Sequence, residues 1–177
     1  MRAVVPVFVG TNTAAQGTVA AVLSSDLPRA WLTAEAIAAA LVLPIQASAL
    51  LRERNFGDLR GRPYDTLGFD PLVMDAAPSG GESAADFVQR LHQAFEHLLQ
   101  QHAARTGDLV VVTHGLAIRT LLAGPLRVGA DDLRDLQLAN TSVTIFDAVT
   151  PHALQLLNCT RHLDEQQRDD AHSLSGG

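Results

Sequence analysis

Residues 110–124, VVVTHGLAIRTLLAG, pass from an aliphatic run into a histidine and then into an amphipathic pattern. The run predicts a strand over 109–113, and the apolar spacing after Gly115 predicts a helix. His114 therefore stands where a buried strand gives way to a helix. In open α/β sheets the binding crevice lies beyond the carboxyl ends of the strands. A helix start there offers unpaired N–H groups and the positive end of a dipole, both favourable to an anion. His114 and the backbone of Gly115 fit an oxyanion at that point. For the isolated residue, a core histidine satisfied by a carbonyl is an equal reading.

Working outward, VAAVL at 19–23 reads as a buried strand ended by Ser24, Ser25 and Asp26. Pro28 suits a first helical turn. Trp31, Ala34, Ile37, Ala38 and Leu41 recur at helical spacing, which predicts a helix over 27–42 with one apolar stripe. Residues 55–81, rich in Gly, Pro and Asp, read as a long surface loop. Ser83 with Asp86 resembles a capping box and opens a helix to about 104, with Phe87, Val88, Leu91, Phe95, Leu98 and Leu99 on one side. Residues 141–147 and 153–159 predict two strands joined by a turn at Pro151. Strands alternating with helices predict an α/β fold with a mostly parallel sheet. No linker divides the chain, so 1–163 is expected to form one domain, with 164–177 a polar, disordered tail.

The bulk properties agree with one soluble domain. The chain has 177 residues, 13 basic against 19 acidic, and a formal net charge of −6. That balance argues against a nucleic-acid surface. The single cysteine, Cys159, cannot form an internal disulfide, which favours a cytoplasmic setting. The apolar start is too short for a membrane span.

Two more positions point the same way as His114. Arg29 lies in the first turn of its helix, where a cation opposes the dipole unless an anion sits between. An exposed arginine bonded to a loop carbonyl is the plainer alternative. Glu53, flanked by Arg52 and Arg54, reads as surface charge pairing in isolation. Yet it ends an apolar stretch and leads into a Gly-rich loop, where a proton donor to a leaving oxygen can stand.

SSDLPRAWLTAEAIAAAL, LRERNFGDLRG, PSGGES, VVVTHGLAIRTLLAG, NTSVTIFD and LNCTRHL together resemble the histidine phosphatase superfamily, the phosphoglycerate-mutase-like proteins. They occur in the family's order across residues 19–163. The resemblance implies a three-layer αβα sandwich that transfers a phosphoryl group through a phosphohistidine. It implies that Arg29 grips the phosphate, Glu53 donates a proton, and His114 stabilises the transferring group. It implies no cofactor and no metal. The expected ligand is a small phosphorylated metabolite or inorganic phosphate, with no nucleic acid or membrane partner and a homodimer as the candidate assembly.

The family's nucleophile is the histidine of an RHG at the end of the first strand, and this sequence has no RHG. Its histidines are His92, His97, His102, His114, His152, His162 and His172. In VFVGTNT, Phe8 and Val9 would stand in place of the arginine and histidine. A parallel crossover from 9 to 19 would need a dozen or more residues, so the N-terminal unit is truncated or altered. It either pairs antiparallel, lies along an edge, or is unrelated sequence. Three accounts fit: a pseudoenzyme keeping a phosphate pocket, a sequence incomplete or scrambled at its start, or a histidine supplied by a partner subunit.

No substitute is evident. His92, His97 and His102 are five apart, about 140° per step around a helix, so they share no face and read as solvated. Thr11 and Thr13 have no paired base and read as turn residues. His162 reads as a surface residue and Cys159 as a small core residue. Leu32 stands where the family often has Gln. Phe56, where the family often has an aromatic hydroxyl, cannot donate to a substrate carboxylate, which favours a general phosphatase over a glycolytic mutase.

Overall fold

The computed structural model describes residues 7–11, 18–63 and 66–163. The expected tail at 164–177 and Thr13 lie outside them. The elements are β1 (Val7–Thr11), β2 (Val19–Ser24), α1 (Pro28–Leu41), β3 (Ile45–Ala47), α2 (Ala84–Ala103), β4 (Asp108–Val112), α3 (Gly115–Ala123), α4 (Ala130–Arg134), β5 (Val143–Asp147) and β6 (Leu154–Cys159). The strands form one six-stranded sheet in the order β3-β2-β4-β1-β5-β6. Pairings β2–β3, β2–β4 and β1–β5 are parallel, while β1–β4 and β5–β6 are antiparallel.

Alternation along β2 and β4 divides the core. Ala21, Leu23, Leu109 and Val111 face α2 and α3, whereas Val22, Val110 and Val112 face α1. Both faces of these strands are covered, so their sequences read as unbroken aliphatic runs. The layers are thus α1, the sheet, and α2 with α3 and α4, the expected sandwich. No helix among the described residues is long and apolar enough to cross a membrane.

The stripe predicted for α1 holds at Ala34 and Ala38 and needs correction at its bulky members. Its buried residues are Ala30, Ala34 and Ala38, while Trp31 and Ile37 are half-buried and Leu41 is exposed. Small residues at every fourth position let the helix lie close against Val22, Val110 and Val112. The bulkier residues chosen from periodicity flank that contact. Helix α2 follows expectation more closely, although Val88 is exposed and Leu99 half-buried. Ser83 Oγ accepts from Asp86 N at 3.0 Å and donates to Asp86 Oδ2 at 2.6 Å, which closes its first turn. Phe87, Leu91, Ala94, Phe95 and Leu98 are buried.

His102 is also a correction: it is buried, not solvated, and its Nε2 has no hydrogen-bond partner. It lines a small cavity with Leu98, Leu99, Leu109, Val111 and Phe146. Only His92 and His97 of that trio are exposed. Cys159 is half-buried on the outermost strand, accepting from Arg161 Nε at 3.4 Å, so it is not a core residue.

Strand β1 sits inside the sheet and runs against β4, with Val7 opposite Val112 and Gly10 opposite Leu109. Of the three arrangements left open by the sequence, antiparallel pairing is the one found. It requires no crossover helix between β1 and β2. It also places the start of β1, not its end, beside the carboxyl end of β4. Phe8 and Val9 are therefore not at the position of a strand-end nucleophile, and the backbone of Thr11 lies at the opposite edge of the sheet from His114.

Close packing of α1 makes one substitution informative. Ala34→Leu should lower stability by about 1–3 kcal/mol through overpacking, read as a shift in the urea midpoint. The same change at exposed Ala36 should leave the midpoint nearly unmoved.

Candidate functional site

Parallel pairing of β2 with β4 sets Ser24 opposite Val112, and Ser25 N donates to Val112 O at 2.9 Å. The two chains therefore leave the sheet side by side. One continues through Ser25 and Asp26 into α1. The other continues through Thr113 and His114 into α3. Arg29 Nε donates to His114 Nδ1 at 3.0 Å, joining residues 85 apart in sequence. The guanidinium and imidazole placed at two helix starts by sequence thus meet.

Arginine is a donor only, so His114 Nδ1 accepts and the ring proton resides on Nε2. Nε2 lies 2.8 Å from Ser25 Oγ, which also accepts from Leu27 N at 3.2 Å. Ser25 thereby receives hydrogen bonds and is not deprotonated by the ring, so the pair is no base-activated nucleophile. His114 is 2% exposed. Burial, together with the charges of Arg29 and Arg90 and opposed by Asp26, holds its pKa down at about 3. The imidazole is neutral throughout the physiological range.

Glu53 reaches the same place from a third segment. Its Oε2 accepts from Leu116 N at 3.2 Å, in the first turn of α3, and its Oε1 accepts from Arg54 N at 3.0 Å. The carboxyl thus occupies the anion-favouring helix start. Desolvation raises its pKa against those two N–H bonds and the cations Arg29 and Arg90. A carboxyl raised in this way holds its proton closer to neutrality, which suits proton donation. Gly115 begins α3 beneath open space: a Cβ there would meet no atom within 4 Å. No cluster of three or more potential metal ligands exists among the described residues.

Sequence reasoning missed Arg90. From α2 its Nη1 donates to Leu50 O at 2.8 Å and Arg52 O at 2.9 Å, and its Nη2 donates to Glu53 O at 3.4 Å. Nη2 and Nε also grip both oxygens of Glu82, at 2.5 and 3.2 Å. Glu82 in turn accepts from Asn55 N at 2.8 Å. Arg90 and Glu82 thus staple the strand-to-loop segment that presents Glu53. Glu82 belongs to PSGGES, but nothing local in the sequence pairs it with a helix residue eight positions on. Arg54 was read with Arg52 as surface charge pairing; it is buried instead, donating to Met74 O at 2.6 Å. Gly57 and Gly81 allow this packing, since a Cβ on Gly57 would fall 2.0 Å from Ser79 O.

Set beside known proteins, the chain matches the model of the histidine phosphatase superfamily (branch 1) over residues 11–159. It belongs to that family. Among its relatives is the protein named "Probable phosphoglycerate mutase GpmB" from Erwinia tasmaniensis, 32% identical over 135 residues. That match covers 71% of this chain and 62% of the relative, so the chain spans under two thirds of the relative's length. The solved structure of Bacillus stearothermophilus YhfR is 29% identical with a TM-score of 0.68, covering 84% of this chain and 78% of that one. A phosphoserine phosphatase from Entamoeba histolytica, solved with 3-phosphoglyceric acid, is 26% identical at a TM-score of 0.64 over the same shares. The chain is thus a histidine phosphatase superfamily member with phosphatases among its structural neighbours.

Two outcomes follow from the geometry. His114 has a native pKa far below its unfolded value of 6.5. Its contribution to stability is therefore complete above pH 6.5 and is lost as pH falls toward 3, by about 1.4 kcal/mol per unit within that window. His114→Gln should remove this part of the acid slope in urea midpoints measured between pH 7.5 and 5. Arg90→Met leaves Glu82 without its cation and three carbonyls without this donor, and should cost about 2–4 kcal/mol in the same measurement.

Proposed function

We propose that this chain carries a site for a small phosphomonoester, or for inorganic phosphate, between the ends of β2 and β4. Arg29, with its guanidinium set by His114, and the backbone of Gly115 hold the phosphate, and Glu53 stands as the acid for the leaving oxygen. Catalysis by these 177 residues is severely impaired. The observation that carries this reading is the 3.0 Å approach of Arg29 Nε to His114 Nδ1, with Glu53 bonded to the first turn of α3 beside them. Phosphoryl transfer relies mainly on positioning and on donors aimed at the equatorial oxygens. Arg29 and the Gly115 N–H supply such donors, while His114, bonded through both ring nitrogens, orients Arg29.

The covalent part needs a neutral imidazole with a free lone pair. His114 directs its lone pair at Arg29. His92 and His97 are exposed on α2, and His152 packs against Phe95 and Phe146 with Nδ1 3.0 Å from Asp147 O. His162 is exposed beyond β6, and His102 is shut in the apolar cavity lined by Leu98, Leu109 and Phe146, away from Arg29 and Glu53. None of these is poised as the attacking group. A second reading, a non-catalytic phosphate-binding domain, is favoured by the reversed direction of β1, which turns its carboxyl end away from the site. Residues 1–163 form one domain in either reading, and the lone cysteine suits a cytoplasmic setting.

Thermal denaturation with inorganic phosphate and hydrolysis of p-nitrophenyl phosphate test these readings together. Phosphate at roughly a hundred times its Kd should stabilise the protein by about 2.7 kcal/mol, and Arg29→Ala should abolish the shift. Absence of any shift would overturn the phosphate site, and turnover at ordinary enzyme rates would overturn the impairment. A slow turnover that falls further in Glu53→Gln supports the impaired enzyme. One indifferent to that change supports the binding domain.

A further inference from the structure

Four arginines lie on the segments that build the proposed site, and their guanidinium groups are not equally free. Arg54 is buried on the carbonyls of Met74, Ala76 and Glu82, and Arg90 is closed on Glu82. Arg29 meets His114. Arg52 adjoins Glu53 in sequence, and its side chain is about half exposed rather than buried on carbonyls. It is instead held in a two-pronged contact with Asp26: Nε to Oδ1 at 2.6 Å and Nη2 to Oδ2 at 2.5 Å.

The position of this pair matters. Asp26 lies between Ser25 and Arg29, and Arg52 immediately precedes Glu53. The contact therefore ties together the two segments that carry the site. Asp26 is close enough to His114 to oppose the fall in its pKa. Arg52 in turn holds the Asp26 carboxyl below its usual range, so the pair stays ionised. An exposed pair of this kind adds little to stability. Its electrostatic effect on an incoming ligand is larger, because a guanidinium fork is well matched to a carboxylate or phosphate. Here a carboxylate of the chain already fills that fork.

We propose that the Asp26–Arg52 pair is a specificity determinant: it neutralises the Arg52 guanidinium and so directs the site to phosphomonoesters whose alcohol portion is uncharged. A ligand bearing a carboxylate or second phosphate would have to displace Asp26 while its own charge is repelled by that residue. Rejection of the wrong ligand by an internal like charge is a common route to selectivity. This inference rests on the phosphate-site reading given above.

The test compares binding of glycerol 3-phosphate and 3-phosphoglycerate by calorimetry to the full chain and to Asp26→Asn, Arg52→Gln and the double variant. The original chain should not prefer 3-phosphoglycerate. Asp26→Asn frees Arg52 and should shift the affinity ratio toward the carboxylate ligand by about tenfold, as one charge-assisted hydrogen bond would. Arg52→Gln leaves Asp26 uncompensated and should shift the ratio the other way. The double variant should return it close to the starting value. An unchanged ratio in both single variants overturns the proposal. A gain that persists in the double variant also overturns it, because the effect would then be a general field and not Arg52. If neither ligand nor inorganic phosphate binds the original chain, the phosphate site itself fails. Should Asp26→Asn fail to fold, Arg52→Gln still decides by the direction of its shift.

Discussion

The adjacency of β2 and β4 is the constraint from which the site follows. Once Ser24 is in register with Val112, the chain segments leaving both strands emerge side by side on one edge of the sheet. Arg29 and His114 need no long-range guidance beyond that. Each sits within the first turn after its strand, or at its helix cap, so strand pairing delivers them to contact. The buried pairing also strips water from His114, which keeps the ring neutral and gives the short Arg29 contact its directional character. Fold and electrostatics are therefore one event here: the same hydrogen-bonded ladder that closes the core also creates the polar centre above it.

Around that centre, arginine is used as a connector of backbone as much as a carrier of charge. Arg54, Arg90 and Arg119 all direct guanidinium groups at carbonyl oxygens; Arg119 reaches Leu136 O at 2.7 Å and also Leu133 O. Segments 48–58 and 74–82 hold only short 3-10 turns and irregular chain, so several of their carbonyls take donors from side chains. A planar fork with five N–H groups can satisfy several at once. Glu53 owes its position to this arrangement, since it lies in an irregular stretch that has no ladder of its own.

How much of this was legible in the sequence depended on whether the signal was local. Arg29, Glu53 and His114 could be found because strand ends, a proline at a helix start and a glycine after a histidine are short-range features. Arg90 could not, because its role depends on which loop passes beneath α2. The α1 stripe was misjudged because periodicity favours large side chains, whereas the contact distance to β2 and β4 selects alanine. His102 was misjudged for a related reason. Three histidines with no common face were treated alike, although one falls on the buried side of α2. The interior placement of β1 had no local signal at all, since a short apolar strand carries no record of its neighbours or direction.

That placement has a consequence for how the molecule assembles. Among the described residues β1 bridges β3-β2-β4 on one side and the β5–β6 hairpin on the other. Its two neighbours, β4 and β5, lie about a hundred and about a hundred and thirty residues further along the chain. The two halves of the sheet are therefore joined through contacts between distant parts of the chain. Closing loops of that length costs entropy before any ladder bond offsets it. The middle of the sheet is thus the part whose pairing depends on the rest already being in place.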